Sequence, residues 1–268
     1  MTDRQVNGVT FLTADHFTAA GGVVHGFSTR LGGVSGGIYA SLNLGSTRGD
    51  DPDCVRENYR RFCAAIGANL QGVVMSNQVH GVVIRTVGPS DVKADLYDPE
   101  GYECDGLMTN VPGLALTIFS ADCIPVLLYD PVKKAIAAVH AGWRGTAGDI
   151  AGKAVARMER EYGCKPGDIL AAVGPGISQC CFETHADVPD AMAECLGRIA
   201  EDHILSLGNG KFKVDLKGIN AALLERAGLT RDHIEISSDC TACLGEKYWS
   251  HRVTQGDRGS QAATIQLL

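Results

Sequence analysis

Two apolar runs flank a short polar tetrapeptide in "ADCIPVLLYDPVKKAIAAVHAG", residues 121–142, and this segment constrains the fold more than any other. Each run is too short for a typical helix and long enough for a strand. Asp130 followed by Pro131 is a good turn start. The segment therefore reads as a buried antiparallel hairpin. With a turn at Asp130–Lys133, Cys123 falls directly opposite His140, with Cβ atoms about 4.5–5.5 Å apart. A thiolate and an imidazole at that distance can share a metal ion or act as a Cys–His pair. A one-residue bulge would put them on opposite faces, in which case Cys123 is simply a small core residue.

The remaining pattern surrounds this hairpin. "GDDPDCVRENYRRFCAAIG" predicts a helix with Asp51 as N-cap and Pro52 at its first position. Its Val55, Tyr59, Phe62 and Ile66 share one face. Further strands are expected at Val73–Ser76, Val82–Val87, Gly106–Thr109, Leu114–Phe119, Ile169–Val173, Phe212–Val214, Ile234–Ser237, Tyr248–His251 and Ala263–Leu267. Helices are expected at Thr146–Tyr162, Ala186–Asp202 and Leu216–Ala227. "STRLGGVSGGIYASLNLG", residues 28–45, reads as a long glycine-rich loop. Strands come in runs with helices between the runs. That pattern fits a mixed α+β fold, one layered domain over residues 1–268 with mixed sheets flanked by helices, better than a doubly wound one.

Composition narrows the function. The net charge is −7 and the basic residues are not massed in one tract, which argues against a nucleic-acid surface. No apolar run approaches the roughly 20 residues that cross a bilayer, and the N-terminus lacks a signal-peptide core. A cytoplasmic protein acting on small molecules is expected. The ten cysteines are scattered, so a disulfide framework is not expected. Cys240 and Cys243 have C-x-x-C spacing but lack a second such pair to close a structural metal site.

A third ligand beside Cys123 and His140 must come from another histidine. On local grounds His80 in "SNQVHGVVI" and His251 in "YWSHRV" are the better choices among the other seven. Arg144 in "GWRGT", at an expected helix start, and Arg30 in "STRLGG" are candidate phosphate contacts. Each is equally well read as tying a loop through carbonyls. Asp122 is a candidate partner for a ligand histidine.

"HGFSTRLGGVSGG", "SNQVHG", "DGLMTN", "SADCIPVLLYDP", "AVHAGWRGT", "GPGISQCCFE" and "CTAC…YWSHR" occur in this order. Together they closely resemble the laccase-domain family, whose members carry polyphenol oxidase, purine nucleoside phosphorylase or peptidoglycan-editing-factor names. The resemblance runs from about residue 23 to the end. It implies a mixed α/β fold and a zinc site of His80, Cys123 and His140. It also implies phosphorolysis of adenosine, inosine and methylthioadenosine, with adenosine deamination as a further activity and hydrolytic editing of cell-wall precursors as the alternative. The chain departs from the family pattern at Tyr59, Val253 and Ser260, each a place where an arginine is common, although Arg258 lies close to the last.

Three ligands leave a fourth tetrahedral position for water or substrate, the pattern of a catalytic zinc. A regulatory module with a closed structural zinc would need a fourth protein ligand. Multicopper oxidation is the weaker expectation, because eight dispersed histidines with no H-x-H pair are few for several coppers. A single site of this kind still binds copper adventitiously.

Overall fold

The computed structural model describes residues 1–99 and 101–268. The hairpin forms from strands Ile124–Asp130 and Ala135–Ala141. Its loop is residues 131–134. Asp130 Oδ1 accepts the N–H groups of Val132 and Lys133, both at 2.8 Å, and Lys134 takes a left-handed φ of 51°. This longer loop moves the register from the one expected. Asp130 pairs with Ala135 and Pro125 with His140, so Cys123 lies two residues beyond the position opposite His140. A two-residue displacement keeps every side chain on its face, so Cys123 still shares a face with His140.

The hairpin is the centre of a six-stranded mixed sheet. Its order is Ile234–Ile236, Leu170–Val173, Ile124–Asp130, Ala135–Ala141, Gly106–Thr109 and Ile84–Thr86. Both faces are covered, which is why its strands read as continuous apolar runs. Val126, Leu128, Ala137 and Val139 face helices Ile150–Tyr162 and Leu216–Arg226, in one core with Ile150, Ala154, Met158, Leu223 and Leu224. The alternate residues Leu127, Tyr129, Ile136 and Ala138 pack with Phe27, Leu116, Ile118 and Ile265 of a second sheet. Burying one large apolar side chain contributes about 1.5–3 kcal/mol, so this interface between the sheets is a main source of stability.

The second sheet runs Thr2–Val6, Val9–Thr13, Val23–Ser28, Gln261–Leu267, Ala115–Ser120, Val73–Val74. Helix Pro52–Ile66 covers its outer face through Val55, Tyr59 and Phe62, and Asp51 caps the helix by accepting the Asp53 N–H. The layers are thus helix, sheet, sheet, helix, the mixed α+β arrangement expected. A small three-stranded sheet of Glu183–Thr184, Lys211–Val214 and Ile204–Gly208 lies beside them.

Three expected elements differ. The helix foreseen at Thr146–Tyr162 starts earlier and is broken into Trp143–Ala147 and Ile150–Tyr162. Asp149 takes φ 57° at the break and caps the second piece through the Gly152 N–H, a role its short side chain favours. The helix foreseen at Ala186–Asp202 divides at Gly197, whose φ is 56°. No strand forms at Tyr248–His251. Tyr248 and Trp249 are buried, and Ser250 caps the short helix His251–Thr254.

Candidate metal centre

The site begins with a carboxylate. Asp105 precedes strand Gly106–Thr109, which pairs with Ala135–Ala141 so that Gly106 faces Val139. One step further along that register, Asp105 meets His140, and the His140 N–H donates to the Asp105 carbonyl at 2.7 Å. The Asp105 side chain is fully buried. Its Oδ1 lies 2.8 Å from His140 Nδ1, and it accepts the N–H groups of Val79, His80 and Gly81 at 3.2, 3.0 and 2.7 Å. One buried acid therefore orients the His140 ring, leaving Nε2 outward, and folds the turn that carries His80. His80 needs that support, because it has a left-handed φ of 59°. Gln78 adds a second clamp. It donates to the Phe119 carbonyl at 2.8 Å and accepts the Phe119 N–H at 2.7 Å.

Cys123 arrives from the other side, just before Ile124–Asp130. His80, Cys123 and His140 each present a ligand atom, all within 4.8 Å of one another. The two imidazole rings meet edge-on, with centroids 4.9 Å apart. Gly142, where the second hairpin strand ends, makes room for them. A Cβ there would lie 3.0 Å from His80 Cδ2 and 3.1 Å from Cys123 Sγ. Burial alone would raise the Cys123 thiol, but the charge and hydrogen bonds of His140 and His80 outweigh it and hold it down to about 6. Burial would likewise lower His140, but the Cys123 thiolate and Asp105 raise it to about 9. Asp105 itself stays below the usual carboxylate range despite its burial, through His140 and the backbone donors.

This donor set fits a transition metal. One thiolate and two imidazoles are borderline-to-soft ligands, suited to zinc or copper rather than magnesium or calcium. The carboxylate behind His140 is the usual outer partner of a ligating histidine. Among the described residues the group has three members, which leaves coordination open on one side.

The other expected site residues are placed differently. His251 is exposed at the start of its short helix and is not part of the group. Asp122 does not serve a ligand histidine. Held at φ 86°, it accepts from Thr241 Oγ1 at 2.6 Å, Ser250 Oγ at 3.0 Å and the Arg252 N–H at 2.7 Å, and so pins the turn before Cys123. Arg30 ties loops. Its Nε and Nη2 donate to the Ala40 carbonyl at 2.9 and 2.7 Å, and its Nη1 to the Gly245 carbonyl at 2.9 Å. Arg144 is exposed and stacks on Trp143, 4.2 Å from the ring centroid.

Of the positions that depart from the family pattern, Tyr59 is a core residue whose hydroxyl lies 3.2 Å from Met75 Sδ, and Val253 is exposed. Ser260 is buried and accepts from Arg258 Nη1 at 3.3 Å. Arg258 is itself buried, and burial lowers its guanidinium to about 10 against the opposing charges of Asp122 and Cys123; among the described residues its Nε has no partner.

Asp105 and Gly142 are the site residues that sequence reasoning missed. Asp105 was detectable in principle, because registering Gly106–Thr109 against Ala135–Ala141 sets it beside His140.

Comparison with known proteins identifies the family and the fold. Residues 24–268 match the family described as multi-copper polyphenol oxidoreductase laccase. A purine nucleoside phosphorylase of Deinococcus radiodurans is 40% identical over 245 residues, covering 91% of this chain and 89% of the relative. An adenosine deaminase, RL5, from an unknown prokaryotic organism is 32% identical over 232 residues, covering 85% and 88%. The crystal structure of YlmD from Geobacillus stearothermophilus superposes with a TM-score of 0.91 at 34% identity, covering 98% of this chain and 97% of that one.

Proposed function

The chain belongs to the multi-copper polyphenol oxidoreductase laccase family, and from that membership we propose that it is a zinc-dependent purine nucleoside phosphorylase. The observation that carries the reading is the near full-length likeness to relatives named for this activity, joined to a three-donor cluster with an open side. His80, Cys123 and His140 would hold the ion. Adenosine, inosine and methylthioadenosine are the substrates proposed. Residues 1–268 are taken as one domain, since the two sheets share a core. The cytoplasm is the compartment proposed, where ten free cysteines stay reduced. No helix among the described residues is long and apolar enough to cross a membrane.

In phosphorolysis the bond from C1′ of the sugar to the base nitrogen breaks, a phosphate oxygen bonds to C1′, and the base leaves with a proton. A bound zinc supplies Lewis acidity toward an oxygen of phosphate or sugar. The chain's own residues do the rest. Asp105 fixes the His140 tautomer and ring plane, so the ligand set is assembled before substrate arrives. Arg144, exposed close in sequence to Gly142, offers a planar fork to phosphate. The charge of buried Arg258 favours the thiolate form of Cys123.

The test is product analysis by mass after incubation with inosine. Hypoxanthine and ribose 1-phosphate are expected, only when phosphate is present, with His140→Ala inactive. Free ribose at an equal rate without phosphate makes the enzyme a hydrolase, and no turnover of any purine nucleoside overturns the reading. The relative named adenosine deaminase favours a second activity, read as inosine formed from adenosine.

A further inference from the structure

Cys240 and Cys243, set aside for want of a second pair, have one in the folded chain. Cys180 and Cys181 are adjacent in sequence, a spacing that a search for C-x-x-C passes over. The four sulphurs lie within 4.8 Å of one another. Cys180 is 3.7 Å from Cys181 and 3.6 Å from Cys243, and Cys181 is 3.3 Å from Cys243. We propose that Cys180, Cys181, Cys240 and Cys243 hold one zinc ion in a closed structural site, distinct from the His80–Cys123–His140 cluster and independent of the reaction assigned to it.

The distances carry the argument. Four sulphurs each 2.3 Å from a tetrahedral zinc lie about 3.8 Å apart. A disulfide brings two sulphurs to about 2.05 Å, well inside the separations here. An iron–sulphur cluster needs room for its inorganic sulphides among the thiolates, and this spacing leaves room for one ion.

The backbone is folded for this purpose. Around "SQCCF" the N–H groups of Cys181 and Phe182 both donate to the Ser178 carbonyl at 3.0 Å, a tight turn that lets neighbouring cysteines reach one point. In "CTAC" the Leu244 N–H donates to the Cys240 carbonyl at 3.0 Å. The Cys240 sulphur accepts N–H groups from Ala242 and Cys243 within this turn and from Ser178 across the gap, the last at 3.3 Å. Backbone donors of this kind support a thiolate ligand. The two turns are joined by the Gly176–Cys240 bridge.

Four thiolates around a divalent cation leave two negative charges, and a buried cation offsets part of that. Lys217 is 4% exposed. Its Nζ donates to Ser178 Oγ at 3.0 Å and to the carbonyls of Ser237 and Asp239 at 3.1 and 2.6 Å, fixing it beside the cluster. The ion would also fasten Thr241, whose hydroxyl holds Asp122 next to Cys123.

Zinc content of the purified wild-type protein by mass spectrometry, with zinc K-edge absorption, tests the proposal. About two zinc ions per chain are expected, with between two and three sulphur ligands per zinc on average. Cys240→Ser with Cys243→Ser should lose one ion and leave a signal with one sulphur. His140→Ala should lose the other ion and leave four. One zinc per chain with one sulphur overturns this proposal and leaves the three-ligand site standing. One zinc with four sulphurs does the reverse. An intact mass about 2 Da below the reduced value places a disulfide here and also overturns it. Should the double cysteine variant not fold, the wild-type absorption alone decides.

Discussion

His140 lies on a buried strand, Cys123 just before another and His80 on a turn beside them, whereas Cys180, Cys181, Cys240 and Cys243 converge from two turns near the surface. The first cluster is organised by the protein itself. A buried carboxylate holds the His140 ring and the His80 turn, and two non-glycine residues, His80 and Asp122, are kept at positive φ around it. Strain of that kind persists only where the surroundings over-determine it. Among the described residues no buried acid orients a cysteine of the second cluster, and four like groups come together through turn hydrogen bonds and the Lys217 contacts. A site with three donors and a rigid frame is suited to exchanging its fourth partner. A site with four donors on two turns is suited to stapling them. The two proposed sites would then use similar ligands for different ends, one for reaction and one for fastening, with the frame deciding which.

Asp105→Ala should separate the two clusters most strongly. Removing one partner of a buried pair leaves the others uncompensated and typically costs about 3–5 kcal/mol. Loss of such an outer partner also weakens metal binding by roughly ten- to a hundredfold. Urea denaturation of metal-free protein should register the first effect and zinc titration the second, with the four-sulphur signal unchanged. Equal loss of metal from both clusters would show that they do not stand on separate frames.

Much of the framework was readable because the central sheet is buried on both sides, which turns its strands into uninterrupted apolar runs. Gly106–Thr109 coincides with its expected bounds, and the two hairpin strands form over the two expected apolar runs. The hairpin register was harder. Asp130 and Pro131 mark a turn, but a two-residue loop and the four-residue loop actually formed begin alike, and only the left-handed Lys134 distinguishes them. Helix breaks at Asp149 and Gly197 depend on single residues whose apolar surroundings continue past them. The strands Thr2–Val6 and Val9–Thr13 went unread because the first of them is largely exposed and lacks clear alternation. At the site, His80, Cys123 and His140 were legible as candidate ligands through motif, whereas Asp105 acts through strand pairing and Cys180 with Cys181 through a turn. Neither relation exists along the chain.

Arg144→Ala sharpens the contrast between a site that meets substrate and one that does not. Hydrogen bonds to charged groups contribute about 1.5–3 kcal/mol, so the KM for phosphate should rise by roughly ten- to a hundredfold. Because Arg144 is exposed and, among the described residues, its side chain stacks on Trp143, the zinc content and the Tm should stay as in wild type. Arg144→Lys should recover part of the loss, since a point charge lacks the planar fork. Intact phosphate kinetics with a lowered Tm would make Arg144 a loop support instead.

Gly142→Ala addresses the room left for the ligands. The backbone there is ordinary, with φ −67°, so the added methyl meets the His80 and Cys123 side chains rather than torsional strain. Overpacking of this sort costs about 1–3 kcal/mol. Zinc should fall from two ions toward one per chain, the remaining ion keeping four sulphurs. Full retention of both would mean that the three ligands tolerate displacement and that the first frame is softer than argued.

The smallest effect separates the clusters by protonation. Cys123 is half-buried and Cys180 exposed, so accessibility alone predicts that an alkylating reagent reaches Cys180 first. Thiolate content predicts the opposite in metal-free protein. Cys123 is held down to about 6 by His140 and His80 against its burial, whereas burial and the neighbouring Cys243 raise Cys180 above the ordinary thiol value. At pH 7 Cys123 is therefore mostly thiolate and Cys180 mostly thiol. A low-pKa thiolate is a weaker nucleophile and this one is less accessible, so the advantage shrinks to roughly tenfold. Brief iodoacetamide treatment followed by peptide mass mapping reads the ratio. The reactive form is lost as pH falls through the pKa. The Cys123 rate should hold nearly level from pH 8 to about 7 and fall by half near pH 6, while the Cys180 rate should still be climbing at pH 9. Faster labelling of Cys180 at pH 7 would mean that the His80 and His140 environment does not hold Cys123 as a ready ligand, and the contrast between a preassembled site and an ion-stapled one would lose its chemical half.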